Sequence, residues 1–151
     1  MVLAFLTAGI VVLIDQIVKC LSMAHLVIHT SYPMIDGLFE LYYLQNKGAG
    51  WGILHGQLKL FYVMTPIIMF YIIYLIYKQR NQSKWVLFAL GLLLGGALGN
   101  FIDRVIHGYV VDMIRVTFID FPVFNVADMA LSIGVVILII IILLDKEGDL
   151  L

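Results

Sequence analysis

Residues 126–144 read VADMALSIGVVILIIIILL, a run whose only charge is Asp128 and whose last ten positions are all aliphatic. As a helix it is long enough for a hydrocarbon core of about 30 Å, which takes roughly 20 residues. Upstream, three more stretches have that character: Leu3–Ala24, Leu60–Tyr77 and Trp85–Ile106. Lys59 and Lys78 bracket the second with no charge between them, and Asp145-Lys146-Glu147 closes the fourth. The expected fold is therefore membrane all-α, a single domain over residues 1–151 with four transmembrane helices.

Composition agrees. Of 151 residues, 63% are hydrophobic and 13% charged, and mean hydropathy is +1.06. Soluble domains lie nearer about 45–50% and about 25%, and a chain this short lacks the interior to hide so much apolar surface. Lipid must be the solvent over much of it. The formal net charge of −1 and the scattered basic residues exclude the basic footprint of a nucleic-acid binder. One cysteine, Cys20, excludes a disulfide framework and a multi-cysteine metal site; it reads as a small apolar residue on a membrane helix. Histidines 25, 29, 55 and 107 have no metal-ligand spacing, so neither metal nor cofactor is expected. No serine has an evident activating base.

The first stretch is not expected to be a cleaved export signal. Ser22-Met23-Ala24 has small-x-small form, but no basic residue precedes the apolar run, and Asp15 and Lys19 interrupt it. Lys78, Arg80 and Lys84 mark the turn between the second and third helices as cytoplasmic. Both termini then lie inside, and segments 25–57 and 107–124 lie outside. In these, residues 38–44 and 109–116 are aromatic or β-branched enough to read as strands, the first preceded by an Asp36-Gly37 turn. They form a small extracytoplasmic β-platform. The third helix should stop at His107-Gly108, and the fourth should start at Asn125, a good N-cap.

Charges near membrane depth need a reason, since each costs about 2.5–3.5 kcal/mol at mid-bilayer on insertion scales. Asp15, Lys19, Asp103, Arg104 and Asp128 qualify, and Asp112 joins them if its loop folds back to the membrane; all lie in the outer half. Asp15 and Lys19 are spaced to pair on one helix face. Gly91, Gly95 and Gly99 form a stripe that admits a close helix neighbour. Arg104 either neutralises Asp103 or contacts a substrate. Asn125 and Asp128 have capping-pair spacing. The short outer segment between the third and fourth helices can bring Asp112 to Asp128. Two adjacent carboxylates cannot both ionise comfortably, so one keeps a proton. Such a pair can deprotonate an attacking water and protonate a leaving nitrogen. The positive end of the fourth helix favours a charged Asp128, which leaves Asp112 as the protonated partner.

Four blocks carry a resemblance over nearly the whole chain: Asp15-Gln16-Ile17-Val18-Lys19; Asn46-Lys47-Gly48-Ala49-Gly50-Trp51-Gly52; Gly95 through Arg104, leading into Gly108-Tyr109-Val110-Val111-Asp112; and Phe124-Asn125-Val126-Ala127-Asp128. Together they resemble the lipoprotein signal peptidases (signal peptidase II). The resemblance implies an aspartic endopeptidase of the bacterial cytoplasmic membrane, with its site at the extracytoplasmic face. It would remove the signal peptide from prolipoproteins, cutting before a diacylglyceryl-modified cysteine. It implies Asp112 and Asp128 as the catalytic pair and Asn46, Asn100, Arg104 and Asn125 as substrate-binding. Asp15, Lys19, Gly48, Asp103 and Ala127 are structural support. It further implies inhibition by globomycin-type cyclic peptides. Partners are the prolipoprotein and membrane lipid, with a monomer expected. Gly50 stands where the family usually has alanine, which loosens that loop. Tyr42, Tyr43 and Trp51 suit the headgroup region.

Three rivals remain. A proton or ion carrier would also use buried carboxylates, but it needs polar groups along the whole path, and the inner half of every helix is almost bare, the second offering only Thr65 with Pro66. The prepilin and presenilin types of peptidase carry a Gly-x-Gly-Asp block that is absent here. A membrane scaffold would use Asn125 and Asp128 only as a cap.

Overall fold

The computed structural model describes residues 1–48, 54, 56–81 and 83–144. The readings placed on Gly50, Trp51, His55 and the charged close of the fourth span lie outside the described residues. Four helices, α1 (Val2–His25), α2 (Leu58–Lys78), α3 (Lys84–His107) and α4 (Val126–Leu144), are each long and apolar enough to cross a membrane. The first three extend one or two residues beyond each expected end. Helix ends fray into flanking turns that hydropathy does not mark.

Three strands, β1 (Ser31–Ile35), β2 (Phe39–Asn46) and β3 (Val110–Val116), form an antiparallel sheet in the order β1-β2-β3. The last two occupy the expected stretches. β1 is additional to them: Pro33 breaks its pattern and its residues are largely exposed. Proline is tolerated on an edge strand, and β1 is the edge, with an irregularity between Pro33 and Ile35. Gly37, at φ +72°, turns the chain from β1 into β2.

α3 is the mast of the bundle. Two-thirds of its apolar span is buried, against 11% for α2 and 17% for α4, so the other helices turn most of their surface outward to lipid. The glycine stripe explains how α3 holds its neighbours. A Cβ on Gly91 would stand 2.5 Å from the Ala4 carbonyl oxygen, and one on Gly95 would stand 2.8 Å from that of Ala8, so α1 packs backbone to backbone there. Gly96 does the same for α4, where a Cβ would meet the Ala127 carbonyl oxygen at 2.5 Å. An apolar cluster of Ala4, Ala8, Ile72, Ile76, Val86, Leu87, Leu90 and Leu94 ties α1, α2 and α3 together. A smaller one, Tyr43, Val111 and Met113 against Val18 and Met23, seats the sheet on the far end of α1. Cys20 is exposed on α1.

α3 ends where expected. Gly108 takes the left-handed conformation at φ +77°, and its N–H donates to the Arg104 carbonyl at 3.1 Å. The chain reverses within two residues and enters β3, which carries Asp112 back over the end of the bundle.

Candidate active site

The last turns of α3 supply Asn100, Asp103 and Arg104. Asp103 faces inward and accepts the Val111 N–H at 2.9 Å through Oδ2. That bond pins β3 to the helix immediately before Asp112. α4 is held by its own capping box: the Asp128 N–H donates to Asn125 Oδ1 at 2.9 Å, and the Asn125 N–H donates to Asp128 Oδ2 at 3.2 Å. A third orphan donor of that helix start, the Ala127 N–H, donates to Asp15 Oδ1 of α1 at 2.9 Å. Helix starts leave such donors open, and here a buried carboxylate on a different helix closes one. Ala127 is itself fully buried.

Lys19 pairs with Asp15 at 2.8 Å, as the spacing implied, and also with Asp103 at 3.1 Å. Its third donor goes to Asn100 Oδ1 at 2.9 Å. All three charged groups are essentially inaccessible. Removing one partner from such a buried set typically costs about 3–5 kcal/mol. Gln16, not singled out in the sequence, completes the cluster with its amide 2.9 Å from Asp103 Oδ1 and 3.2 Å from Asp15 Oδ2. Its position one residue from Asp15 was the available signal.

The structure brings Asp112 and Asp128 together at one cleft. Asp112 Oδ1 accepts from Asn125 Nδ2 at 2.6 Å, and its Oδ2 accepts from Asn46 Nδ2 at 2.9 Å. Asp128 Oδ1 accepts from Asn100 Nδ2 at 2.7 Å. Asn125 thus touches both carboxylates, with its side chain on one and its backbone N–H on the other. Burial, and after it the negative charge of Asp128, push the Asp112 carboxyl up to about 7. The hydrogen bonds from Asn46 and Asn125 and the more distant Lys19 ammonium oppose that rise without cancelling it.

Around the pair lies a cleft of about 480 Å³. One part of its lining is polar: Asn46, Gly48, Asn100, Arg104, Asp112 and Asp128. The other is apolar, formed by residues 121–124 with Met129 and Ile133, and interrupted by Ser132. Asn46 and Asn100 line the cleft, and each has one amide hydrogen beyond those already bonded. Asn125 does not. It is 0% exposed, lies behind the cleft wall, and has three acceptors around its amide nitrogen: Asp112 Oδ1, Asn100 Oδ1 and the Val111 carbonyl. Asn125, expected to contact substrate, has its donors engaged by the two carboxylates and their neighbours in this structure.

Arg104 and Asp103 part company in the structure. Asp103 pairs with Lys19, while the Arg104 guanidinium donates to the carbonyls of Gly48 at 3.1 Å and Asn100 at 3.3 Å and lies 4.3 Å over the Phe61 ring. Gly48 in turn donates its N–H to Asn46 Oδ1 at 2.8 Å. Phe61, Tyr62 and the aromatic wall at Phe121 and Phe124 were missed in the sequence. Aromatics clustered at a helix start and around Pro122 were the only signal, and they suit plain membrane anchoring equally well. Among the described residues no group of histidine, cysteine and acidic side chains could hold a metal ion.

This geometry can be set beside known proteins. A family model described as Signal peptidase (SPase) II matches residues 7–144. The lipoprotein signal peptidase of Enterococcus faecalis is 42% identical over 98% of this chain and 92% of its own length. That of Shouchella clausii is 46% identical over 97% of both. A solved structure described as a bacterial membrane enzyme superposes with a TM-score of 0.89 at 39% identity, covering 97% of this chain and 90% of the other.

Proposed function

This chain belongs to the signal peptidase II family, and from that premise we propose that Asp112 and Asp128 are the catalytic pair of its peptidase activity. It is a multi-pass membrane protein and an aspartic peptidase of the lipoprotein signal peptidase type. The observation that carries the proposal is that two buried carboxylates, from a strand and a helix start, line one cleft and are held through the same asparagine.

In the proposed mechanism Asp128, which receives the Asn100 amide hydrogen and the Asn125 N–H, is the ionised partner and takes a proton from the attacking water. Asp112 keeps its proton near neutral pH and gives it to the leaving nitrogen as the tetrahedral intermediate collapses. The spare amide hydrogens of Asn46 and Asn100, with the Arg104 guanidinium, hold the substrate backbone along the polar wall. Asn125, Asp15, Lys19, Gly48, Asp103 and Ala127 hold the carboxylates and their elements in place.

The substrate that membership of the family implies suits this cleft. A prolipoprotein whose cysteine carries a diacylglyceryl group leaves its acyl chains in the bilayer, so the bond before that cysteine stays at the lipid–water boundary. The apolar wall suits the lipid and the polar wall suits the peptide. The basic residues 78, 80 and 84 at the opposite end of the bundle support an extracytoplasmic site in the bacterial plasma membrane. Globomycin-type peptides would compete for this cleft.

The test is a gel-shift cleavage assay with purified protein and a diacylglyceryl-modified prolipoprotein. Asp112→Asn and Asp128→Asn should each abolish turnover while the protein stays folded. Normal cutting by either variant would remove the pair from the mechanism.

A further inference from the structure

We infer that Lys19, although it lines no part of the cleft, is a positioning residue for hydrolysis: its ammonium fixes which end of the Asn100 side chain faces Asp128. This rests on the catalytic pair proposed above. An asparagine amide has an accepting and a donating end of nearly the same shape, and only its partners decide which way it points. At Asn100 the choice decides whether Asp128 Oδ1 meets a hydrogen or a lone pair.

Lys19 has three ammonium hydrogens and no acceptor. It has three acceptors in reach, Asp15 Oδ2 at 2.8 Å, Asn100 Oδ1 at 2.9 Å and Asp103 Oδ2 at 3.1 Å. Every hydrogen is matched, so Asn100 must offer Lys19 its oxygen. The nitrogen is thereby turned to Asp128 Oδ1, 2.7 Å away. Asn125 also reaches Asn100 Oδ1, at 3.0 Å, but its two amide hydrogens are divided among three acceptors, and the nearest is Asp112 at 2.6 Å. Lys19 is the one partner of that oxygen with a hydrogen to itself.

The same logic recurs around the pair. Asn46 Oδ1 is claimed by the Gly48 N–H, which turns its nitrogen to Asp112. Asn125 Oδ1 is claimed by the Asp128 N–H, which turns its nitrogen to Asp112 as well. In each case an obligate donor behind the asparagine aims its NH2 group at a carboxylate. For Asn46 and Asn125 the donor is backbone, which only a proline would remove. For Asn100 it is the Lys19 side chain, which substitution can alter. Charged neighbours are Asp15 on the same helix, Asp103 and Arg104 from α3, Asp112 from β3 and Asp128 from α4.

The experiment compares Lys19→Gln combined with Asp15→Asn, Lys19→Arg, Asp15→Asn alone and Asn100→Asp in the cleavage assay, with thermal unfolding measured alongside. The double variant removes one acid and one base, so the buried cluster keeps its net charge. The glutamine amide that replaces the ammonium can donate or accept, and no longer dictates the orientation of Asn100. This variant should stay folded and lose about 10²-fold in kcat with KM little changed, the scale on which a misplaced reacting group slows an enzyme. Asp15→Asn alone, which leaves the Lys19 ammonium facing Asn100, should lose less kcat than the double variant. Lys19→Arg, bulkier but still an obligate donor, should retain more activity than the double variant. A role in packing alone ranks these two the other way. If the double variant does not fold, Asn100→Asp decides: it leaves every Lys19 contact an acceptor but puts a second carboxyl against Asp128 in place of the N–H, so the two acids share a proton and Asp128 loses its charge; kcat should fall while the fold holds. Wild-type kcat in either the double variant or Asn100→Asp overturns the inference, as does a loss shared equally by kcat and KM. Continued turnover by Asp128→Asn in the same assay would instead remove the catalytic pair, and the inference with it.

Discussion

Replacing Asp112 by asparagine should change the pH dependence of stability as well as activity. The Asp112 carboxyl rises from 3.8 to about 7 on folding, so the native protein holds a proton there that the unfolded chain releases. That raised value contributes stability fully present below the unfolded value near 4, lost progressively as pH rises, and gone once pH passes about 7. The slope is about 1.4 kcal/mol per pH unit while one proton separates the two states. From pH 5 to pH 7 the wild type should therefore lose roughly 2–3 kcal/mol that Asp112→Asn does not, and above pH 7 the difference should level off. Asparagine keeps the volume and can still accept through its oxygen, so the fold should survive. Reversible unfolding in mixed micelles, followed by tryptophan fluorescence at half-unit pH steps, gives both curves, and contributions from other groups largely cancel in their difference. Parallel curves over pH 5–7 would refute the argument, because they would mean that Asp112 binds its proton no more tightly in the native state.

Further outcomes follow from particular contacts. Turnover of the wild type should decline as pH rises through about 7, because Asp112 then loses the proton it donates; a kcat profile flat to pH 9 would contradict that role. Gly96→Ala should lower stability by about 1–3 kcal/mol, the usual scale of overpacking, since its Cβ would meet the Ala127 carbonyl at 2.5 Å; thermal unfolding reads this directly. Gly108→Ala should cost roughly 1–2 kcal/mol for a side chain held at φ +77°, with only Leu58 Cδ2 near the new atom among the described residues. Arg104→Lys should raise KM more than it lowers kcat, because a point charge loses both the paired carbonyl contacts and the face of Phe61.

The parts of this fold that sequence made legible are those set by local rules. Hydropathy over some twenty positions located the spans, Gly108 marked the end of α3, and Asn125 with Asp128 marked the start of α4. The pairing of Asp15 with Lys19 was visible because four residues separate them on one helix. That Lys19 also reaches Asp103 and Asn100 was not, since no periodicity within a helix reports which neighbour it faces. β1 escaped because its proline and its exposed residues imitate a loop, and only its pairing with β2 makes it a strand. Arg104 could not be assigned because Asp103 adjoins it in the chain while pointing toward a different helix. Asn125 was expected to meet the substrate, and only three-dimensional packing revealed that both carboxylates already engage it.

The reacting pair is built from distant parts of the chain: Asp112 rides a strand beyond the third span, and Asp128 opens the fourth, whose first turn leans on Asp15 near the start. During synthesis the earlier spans reach the bilayer before the last does, so a ribosome-bound intermediate has at most half of the proposed pair. Hydrolytic competence would then arrive only with the fourth span.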